Sequence, residues 1–167
     1  PWHNHSTGPL KTVSAVRPDR QSPMKLTTKS RYGTRLILDI AIHGKDHPVP
    51  LSDVARRQKI SFKYLEQLCR KLKKAGLINS RRGASGGHML ARNPRDISVG
   101  DIVRTLEETS AITECAEEDK QRCSVCDKAG DCISRWVWIE ASKAMFQRLD
   151  NICLKDLLQV SRTDLLN

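Results

Sequence analysis

The sequence predicts a mostly α-helical fold carrying one small β-hairpin, followed by a long C-terminal helix. Three observations predict it. Apolar residues recur at three- and four-residue intervals through three successive stretches between Thr28 and Gly76, each bounded by a capping or breaking residue. The period then changes to short strand-like runs on either side of Gly83-Ala-Ser-Gly86-Gly87. Beyond Cys132 an apolar stripe returns at helical spacing from about Ile133 to Ile152.

Residues 1–23 precede this organisation. They carry Pro1, Pro9, Pro18 and Pro23 and show no periodicity, so they read as a disordered, non-native leader, with Met24-Lys-Leu-Thr as the true start. His3 and His5 within it read as accidental. The first helix carries Tyr32, Leu36, Ile40 and Ala41 on one face, with Thr28 or Ser30 as its cap and Gly44 and Pro48 at its end. Ser52 is the expected cap of a short second helix bearing Val54 and Ala55. Ser61 opens a third, with Leu65, Leu68, Cys69 and Leu72 along one face and Gly76 closing it. Two short helices joined by a tight turn, the second strongly basic, form a helix-turn-helix signature.

Leu77-Ile-Asn-Ser-Arg-Arg82 and His88-Met-Leu-Ala-Arg92 are the two runs of the hairpin. Its glycines could suggest a phosphate loop. The segment lacks Gly-Lys-Ser/Thr and does not run from strand into helix, so a wing carrying Arg81 and Arg82 is the better reading. Asp96 to Glu107 then reads as an amphipathic helix capped by Ser98. The predicted fold is therefore a winged helix-turn-helix domain (24–112), a cysteine-rich loop (113–132), a dimerisation helix (133–160) and a tail (161–167).

Charge points to the partner. The 167 residues include 29 Lys+Arg against 19 Asp+Glu, a formal net charge of +10 and a pI near 9.6. That balance favours an anionic partner, nucleic acid or a membrane surface. No run approaches the ~20 apolar residues of a membrane span, and no secretory signal is visible. The aromatic content of 4% is low for stacking single-stranded bases. Between Arg56 and Arg95 stand twelve Lys or Arg and one acid, Glu66. A solvated face normally mixes both signs. A nearly pure positive module on helix-turn-helix spacing suits duplex phosphates, with Lys71 and Lys73 among the expected contacts. Glu66 and Gln67 suit base edges, a carboxylate accepting from cytosine N4 and an amide pairing with adenine.

Four of the six cysteines fall in one polar stretch, Cys115, Cys123, Cys126 and Cys132, spaced C-x7-C-x2-C-x5-C. Such a segment has little apolar surface to order it; a metal centre or disulfides can do so instead, the alternative being a disordered linker that happens to contain thiols. Four thiolates can close a tetrahedral zinc site or hold an iron–sulfur cluster. Without an export signal, ligands are favoured over disulfides, and the expected setting is the cytoplasm. The wide apolar stripe of Ile133, Trp136, Val137, Ala141, Ala144, Met145, Leu149 and Ile152, with Trp138, Ile139 and Phe146 outside it, exceeds what one small domain covers. A homodimer is the expected consequence, and helix-turn-helix proteins commonly read paired half-sites.

Taken together, the chain resembles the Rrf-type winged-helix transcriptional regulators, among them IscR, NsrR, RirA and CymR. The matching residues are Met24-Lys-Leu-Thr, Arg31-Tyr-Gly33, Tyr64-Leu-Glu-Gln-Leu68, Ala75-Gly-Leu77, Arg82-Gly83, Gly86-Gly87, Val99-Gly-Asp-Ile102, and Cys132 ahead of Trp138. The resemblance spans Met24 to about Gln159. It implies a homodimer on an operator duplex, with the recognition helix in the major groove and a wing arginine near the minor groove. The candidate DNA contacts are Lys63, Tyr64, Glu66, Gln67, Arg81 and Arg82. It also implies an iron–sulfur cluster, [2Fe–2S] or [4Fe–4S], with Cys115 and Cys132 as outer ligands and Cys123 and Cys126 competing for the middle position. The simplest inference is that all four ligate.

The chain departs from the family at two places. IscR-like proteins have a histidine ligand where this chain has Arg135, and NsrR-like proteins an aspartate where it has Arg31. Arginine ligates neither iron nor zinc. Cys69 and Cys153 read as buried core thiols. Three readings follow: a regulator controlled by its cluster; a clusterless or zinc-stabilised CymR-like regulator of sulfur metabolism controlled by a protein partner; and an enzyme. The last has no nucleophile, Walker or His-Glu-x-x-His motif to support it.

Overall fold

Helix α1 (Thr28–His43) begins one residue earlier than its pattern suggests. Its cap is Thr27, not Thr28 or Ser30, and Thr27 Oγ1 accepts from Lys29 N at 3.1 Å. Ser30 is buried and donates its hydroxyl to Glu107, which also accepts from Thr27 N and Ser30 N. A carboxylate nearly eighty residues away thus satisfies the first helical donors, which no local pattern reveals. Residues 27–83, 85–109, 111–116 and 132–163 are described by this computed structural model. The leader at 1–23 and two of the four clustered cysteines, Cys123 and Cys126, lie outside the described residues.

Helix α2 (Leu51–Gln58) starts at Pro50, whose fixed extended backbone replaces a side-chain cap, so Ser52 lies within the helix. It ends at Lys59, held at φ 54°, from which the chain turns directly toward α3. Helix α3 (Phe62–Lys74) is capped by Ser61, as expected, and buries Leu65, Leu68, Cys69 and Leu72. Gly76 takes φ 68° just past its end, a left-handed position that glycine occupies without penalty. Arg92 closes the same end by donating to the carbonyls of Gly76 and Ala75 at 3.1 and 3.4 Å.

Strands β1 (Ile78–Arg81) and β2 (Gly87–Leu90) pair antiparallel, with Ile78 opposite Leu90 and Arg81 opposite Gly87. Val49 adds a third, single-residue rung through reciprocal bonds with His88 of 2.9 and 2.8 Å. A Cβ on Gly87 would stand 2.5 Å from the Val49 carbonyl, so only glycine lets this rung close. After a 3-10 turn at Pro94–Asp96, helix α4 (Val99–Glu107) opens with a reciprocal capping box between Ser98 and Asp101.

The core lies where α1, α3 and α4 meet the hairpin base. Leu36, Leu65, Leu72, Ile78 and Ile102 are fully buried and Leu68 nearly so, as the spacing predicts. Helix α5 (Ile133–Asp150) is the expected long helix, but the chain does not continue outward from it. It breaks at Asn151–Cys153 and returns as α6 (Leu154–Thr163), a helix the sequence pattern did not separate. Leu154 is fully buried in the core, and its N–H donates to the Ile97 carbonyl at 2.8 Å. Cys153, expected to be buried, is only half-buried. It marks the break, where its N–H and thiol both donate to Asp156 Oδ2 at 3.0 Å. A thiol beside a carboxylate at a helix start satisfies a donor there, which a core position could not offer.

Candidate nucleic-acid interface and cysteine segment

At 100° per residue, α3 divides into faces. Opposite its buried stripe stand Lys63, Gln67, Arg70 and Lys74, all exposed. Phe62, Glu66 and Lys73 occupy the flank toward the wing, also exposed. Tyr64 and Lys71 occupy the other flank. Strand β1 runs beside α3, joined to it by a 2.6 Å bond from Lys73 Nζ to Ser80 Oγ. Arg81 and Arg82 project from the exposed end of that strand, ahead of Gly83 at φ 113°. Five of the six candidate contacts (Lys63, Glu66, Gln67, Arg81 and Arg82) therefore lie on solvent-facing surface.

Tyr64 is placed differently. It is half-buried, and its ring meets that of Tyr32 edge to face with centroids 6.0 Å apart. Burial, then the nearby charge of Glu107, pushes its phenol up in pKa. Lys71, expected at phosphate, is half-buried and paired with Glu108 at 2.8 Å. Glu108 follows α4 directly, so this ion pair joins the recognition helix to the start of the chain that leads to Cys115. Glu107 holds the start of α1, and its carboxyl lies below the usual range. Burial works against the shift, and the bonds from Ser30 and Thr27 outweigh it.

A second polar network fixes the turn between α2 and α3. Asp39, in the middle of α1, has a side chain only 1% exposed. It accepts from Arg57 Nε at 3.1 Å, Arg57 Nη2 at 2.5 Å and Gln58 Nε2 at 2.8 Å. Arg35, one helical turn before Asp39, donates to the Gln58 side chain and backbone carbonyl at 3.0 and 2.6 Å. Burial raises the Asp39 pKa, yet the Arg57 and Gln58 bonds carry it below the usual carboxylate value. The sequence reading passed over this residue. The available signal was an acid inside an apolar helical stripe with an arginine four residues before it.

Of the cysteines, Cys69 is a core thiol as expected. Burial, aided by the charge of Glu66, pushes its pKa up to about 12, so it stays protonated. Cys115 and Cys132 are both half-buried. Arg135 ties them together: its backbone N–H donates to the Cys132 carbonyl at 3.1 Å and its Nε to the Cys115 carbonyl at 2.6 Å. Each sulfur also has a hydroxyl beside it, Thr113 at 3.3 Å from Cys115 and Ser134 at 3.0 Å from Cys132. Arg135, at the position of the histidine ligand of IscR-like proteins, is thus a clasp for the two outer cysteines. Among the described residues, no three Cys, His, Asp or Glu gather as a metal site.

Helix α5 meets the body through a narrow inner face. Arg104 of α4 forms a bidentate pair with Asp150, both bonds 2.6 Å, and lies 4.5 Å over the Phe146 ring. Phe146 and Ser142 are the buried residues of this helix, so the side chain placed outside the apolar stripe is the one that docks. Within the stripe, Ile133 is 88% exposed, Trp136 66% and Val137 50%. No described helix is long and apolar enough to cross a membrane.

The comparisons with known proteins agree with this architecture. A family model described as Rrf2, iron-dependent transcriptional regulator, matches residues 26–160. The protein rrf2 of Nitratidesulfovibrio vulgaris is 52% identical over 136 residues, 81% of this chain and 88% of its own length. The HTH-type transcriptional regulator IscR of Aliivibrio salmonicida is 39% identical over 135 residues, 81% of this chain and 77% of its own. Among solved structures, T. potens IscR matches with a TM-score of 0.65 and 40% identity, covering 82% of this chain and 88% of that one. CymR, the global cysteine regulator of B. subtilis, matches with a TM-score of 0.65 and 35% identity, covering 81% and 97%. The chain belongs to the Rrf2 family of transcriptional regulators.

Proposed function

We propose that this regulator binds a pseudo-palindromic operator as a homodimer, and that an iron–sulfur cluster on Cys115, Cys123, Cys126 and Cys132 controls its affinity. The observation that carries the DNA reading is the continuous solvent face of Lys63, Glu66 and Gln67 on α3 beside Arg81 and Arg82 of the wing. The cations neutralise phosphates and set orientation, while Glu66 and Gln67 read base edges. Each protomer supplies one half-site reader, and the exposed Ile133, Trp136 and Val137 are the surface that joins two of them. The setting is the cytoplasm, where the thiols stay reduced.

The described donors suit the cluster in kind. Arg135 bonds the backbone carbonyls of both Cys115 and Cys132, each of whose thiols has a neighbouring hydroxyl, and thiolates are the ligands iron–sulfur clusters take. When bound, the cluster supplies a redox-sensitive centre that the chain alone lacks. What the chain contributes is a mechanical path. Glu107 grips the start of α1 and Glu108 grips Lys71 of the recognition helix, immediately before the residues that lead to Cys115. A displacement of Cys115 is thereby transmitted toward both helices.

A second reading is a clusterless or zinc-stabilised regulator controlled by a protein partner. The fold likeness to CymR, equal in TM-score to that of IscR, favours it. Anaerobic purification with iron, sulfide and zinc counts separates the two. Iron and sulfide in equal amounts per protomer support the cluster, and a colourless zinc-loaded protein overturns it. For the DNA reading, Glu66→Ala should alter the sequences recovered from a randomised duplex library. An unchanged preference would show that the readout lies elsewhere.

A further inference from the structure

Phe62 has no place in the core or in the contacts assigned above. It is the first residue of α3 and is 47% exposed, although the buried stripe of that helix is already complete with Leu65, Leu68, Cys69 and Leu72. Among the described residues between 27 and 116, only Phe62 and Ile42 are large apolar side chains at such exposure. Ile42 lies at the far end of α1. Phe62 instead faces a groove of about 340 Å³ between α3 and the wing, which it lines with Leu51, Glu66, Arg70, Lys73 and Ser80. Glu66 stands one helical turn along the same flank, so both side chains address neighbouring positions of whatever enters the groove.

The groove is amphipathic in a particular way. Its cations, Arg70 and Lys73, suit a phosphate-bearing partner, and the N-terminal residues of a recognition helix are those that reach base edges. The apolar group on a major-groove edge is the thymine C5-methyl. We infer that Phe62 is a specificity-determining residue that contacts a thymine methyl adjacent to the base faced by Glu66. This rests on the proposed DNA reading.

The test replaces methyl by hydrogen without touching any hydrogen bond. A duplex selected by the parent protein from a randomised library is rebuilt with deoxyuridine at each thymine in turn. Binding is then measured for the parent and for Phe62→Ala. One thymine per half-site should cost the parent about fourfold in affinity when its methyl is removed, the scale of one buried methyl group. Phe62→Ala should bind the thymine duplex about as weakly as the parent binds the uracil one, and should not distinguish the two. Other thymines should affect both proteins equally. The inference is overturned if no thymine is methyl-sensitive in the parent, a result that does not depend on the variant folding. It is also overturned if the sensitivity persists in Phe62→Ala. If the selection yields no sequence bound above random duplex, the DNA-reading proposal itself fails, and this outcome is distinct from the other two.

Discussion

Replacing Arg57 by Ala tests whether the buried acid of α1 holds the helix-turn-helix together. The substitution leaves Asp39, 1% exposed, with only the Gln58 amide as a local donor. Breaking a fully buried pair from one side costs about 3–5 kcal/mol, because the surviving charge is left uncompensated. The Arg57 side chain is itself 28% exposed, and water can partly replace it, so the expected loss is about 2–3 kcal/mol. For a chain of this size that is a fall in Tm of about 5–10 °C. The sign with pH follows from the shifts. In the parent, the depressed Asp39 pKa contributes stability that is present above the unfolded carboxylate value and lost as pH falls through the folded one. In Arg57→Ala, burial without the cation raises that pKa, so the variant recovers relative stability as pH falls. Urea denaturation at fixed protomer concentration should therefore show the largest difference near neutral pH and a shrinking one through the carboxylate range. Arg57→Met combined with Asp39→Asn should recover more than half of the loss. A difference below about 0.5 kcal/mol at neutral pH, or one that does not change with pH, would refute the reasoning.

Four further outcomes are expected. Arg82→Ala should weaken binding to all duplexes and reduce the slope of log affinity against log salt by about one, measured by fluorescence anisotropy over a salt series. Ile133→Glu with Trp136→Glu should give a monomer by sedimentation that keeps its helical circular dichroism, since both side chains are exposed in the single chain, and its Tm should no longer rise with protomer concentration. Truncation before α5 should not give that clean result, because it also removes Leu154 from the core at a cost of about 2–5 kcal/mol. Cys132→Ala should lose the visible chromophore of the anaerobic protein while keeping its helical circular dichroism, and Cys69→Ala should keep the chromophore.

Elements whose evidence is local were legible in the residues alone, although the caps of α1 and α2 were not. The three- and four-residue spacing of Leu65, Leu68 and Leu72 named the buried face of α3, and Ser61 and Ser98 named their helix starts, because amphipathicity and capping act over one or two turns. The hairpin was legible from its glycines and the change of period, and the exposure of Lys63 and Gln67 from their place opposite the buried stripe. What depends on residues far apart in the chain emerged only from packing. Glu107 as the anchor of α1, Asp39 as the anchor of the turn, and Lys71 as an ion-pair partner rather than a phosphate contact are all set by groups 18 to 80 positions away. The return of α6 was hidden for a related reason. The Ile97–Leu154 and Val99–Ile152 bonds are what turn the chain back to the body, and in each the partners lie more than fifty positions apart. Periodicity reports which side of a helix is apolar; what covers that side is fixed by packing between distant segments, and that information exists only once the chain is folded.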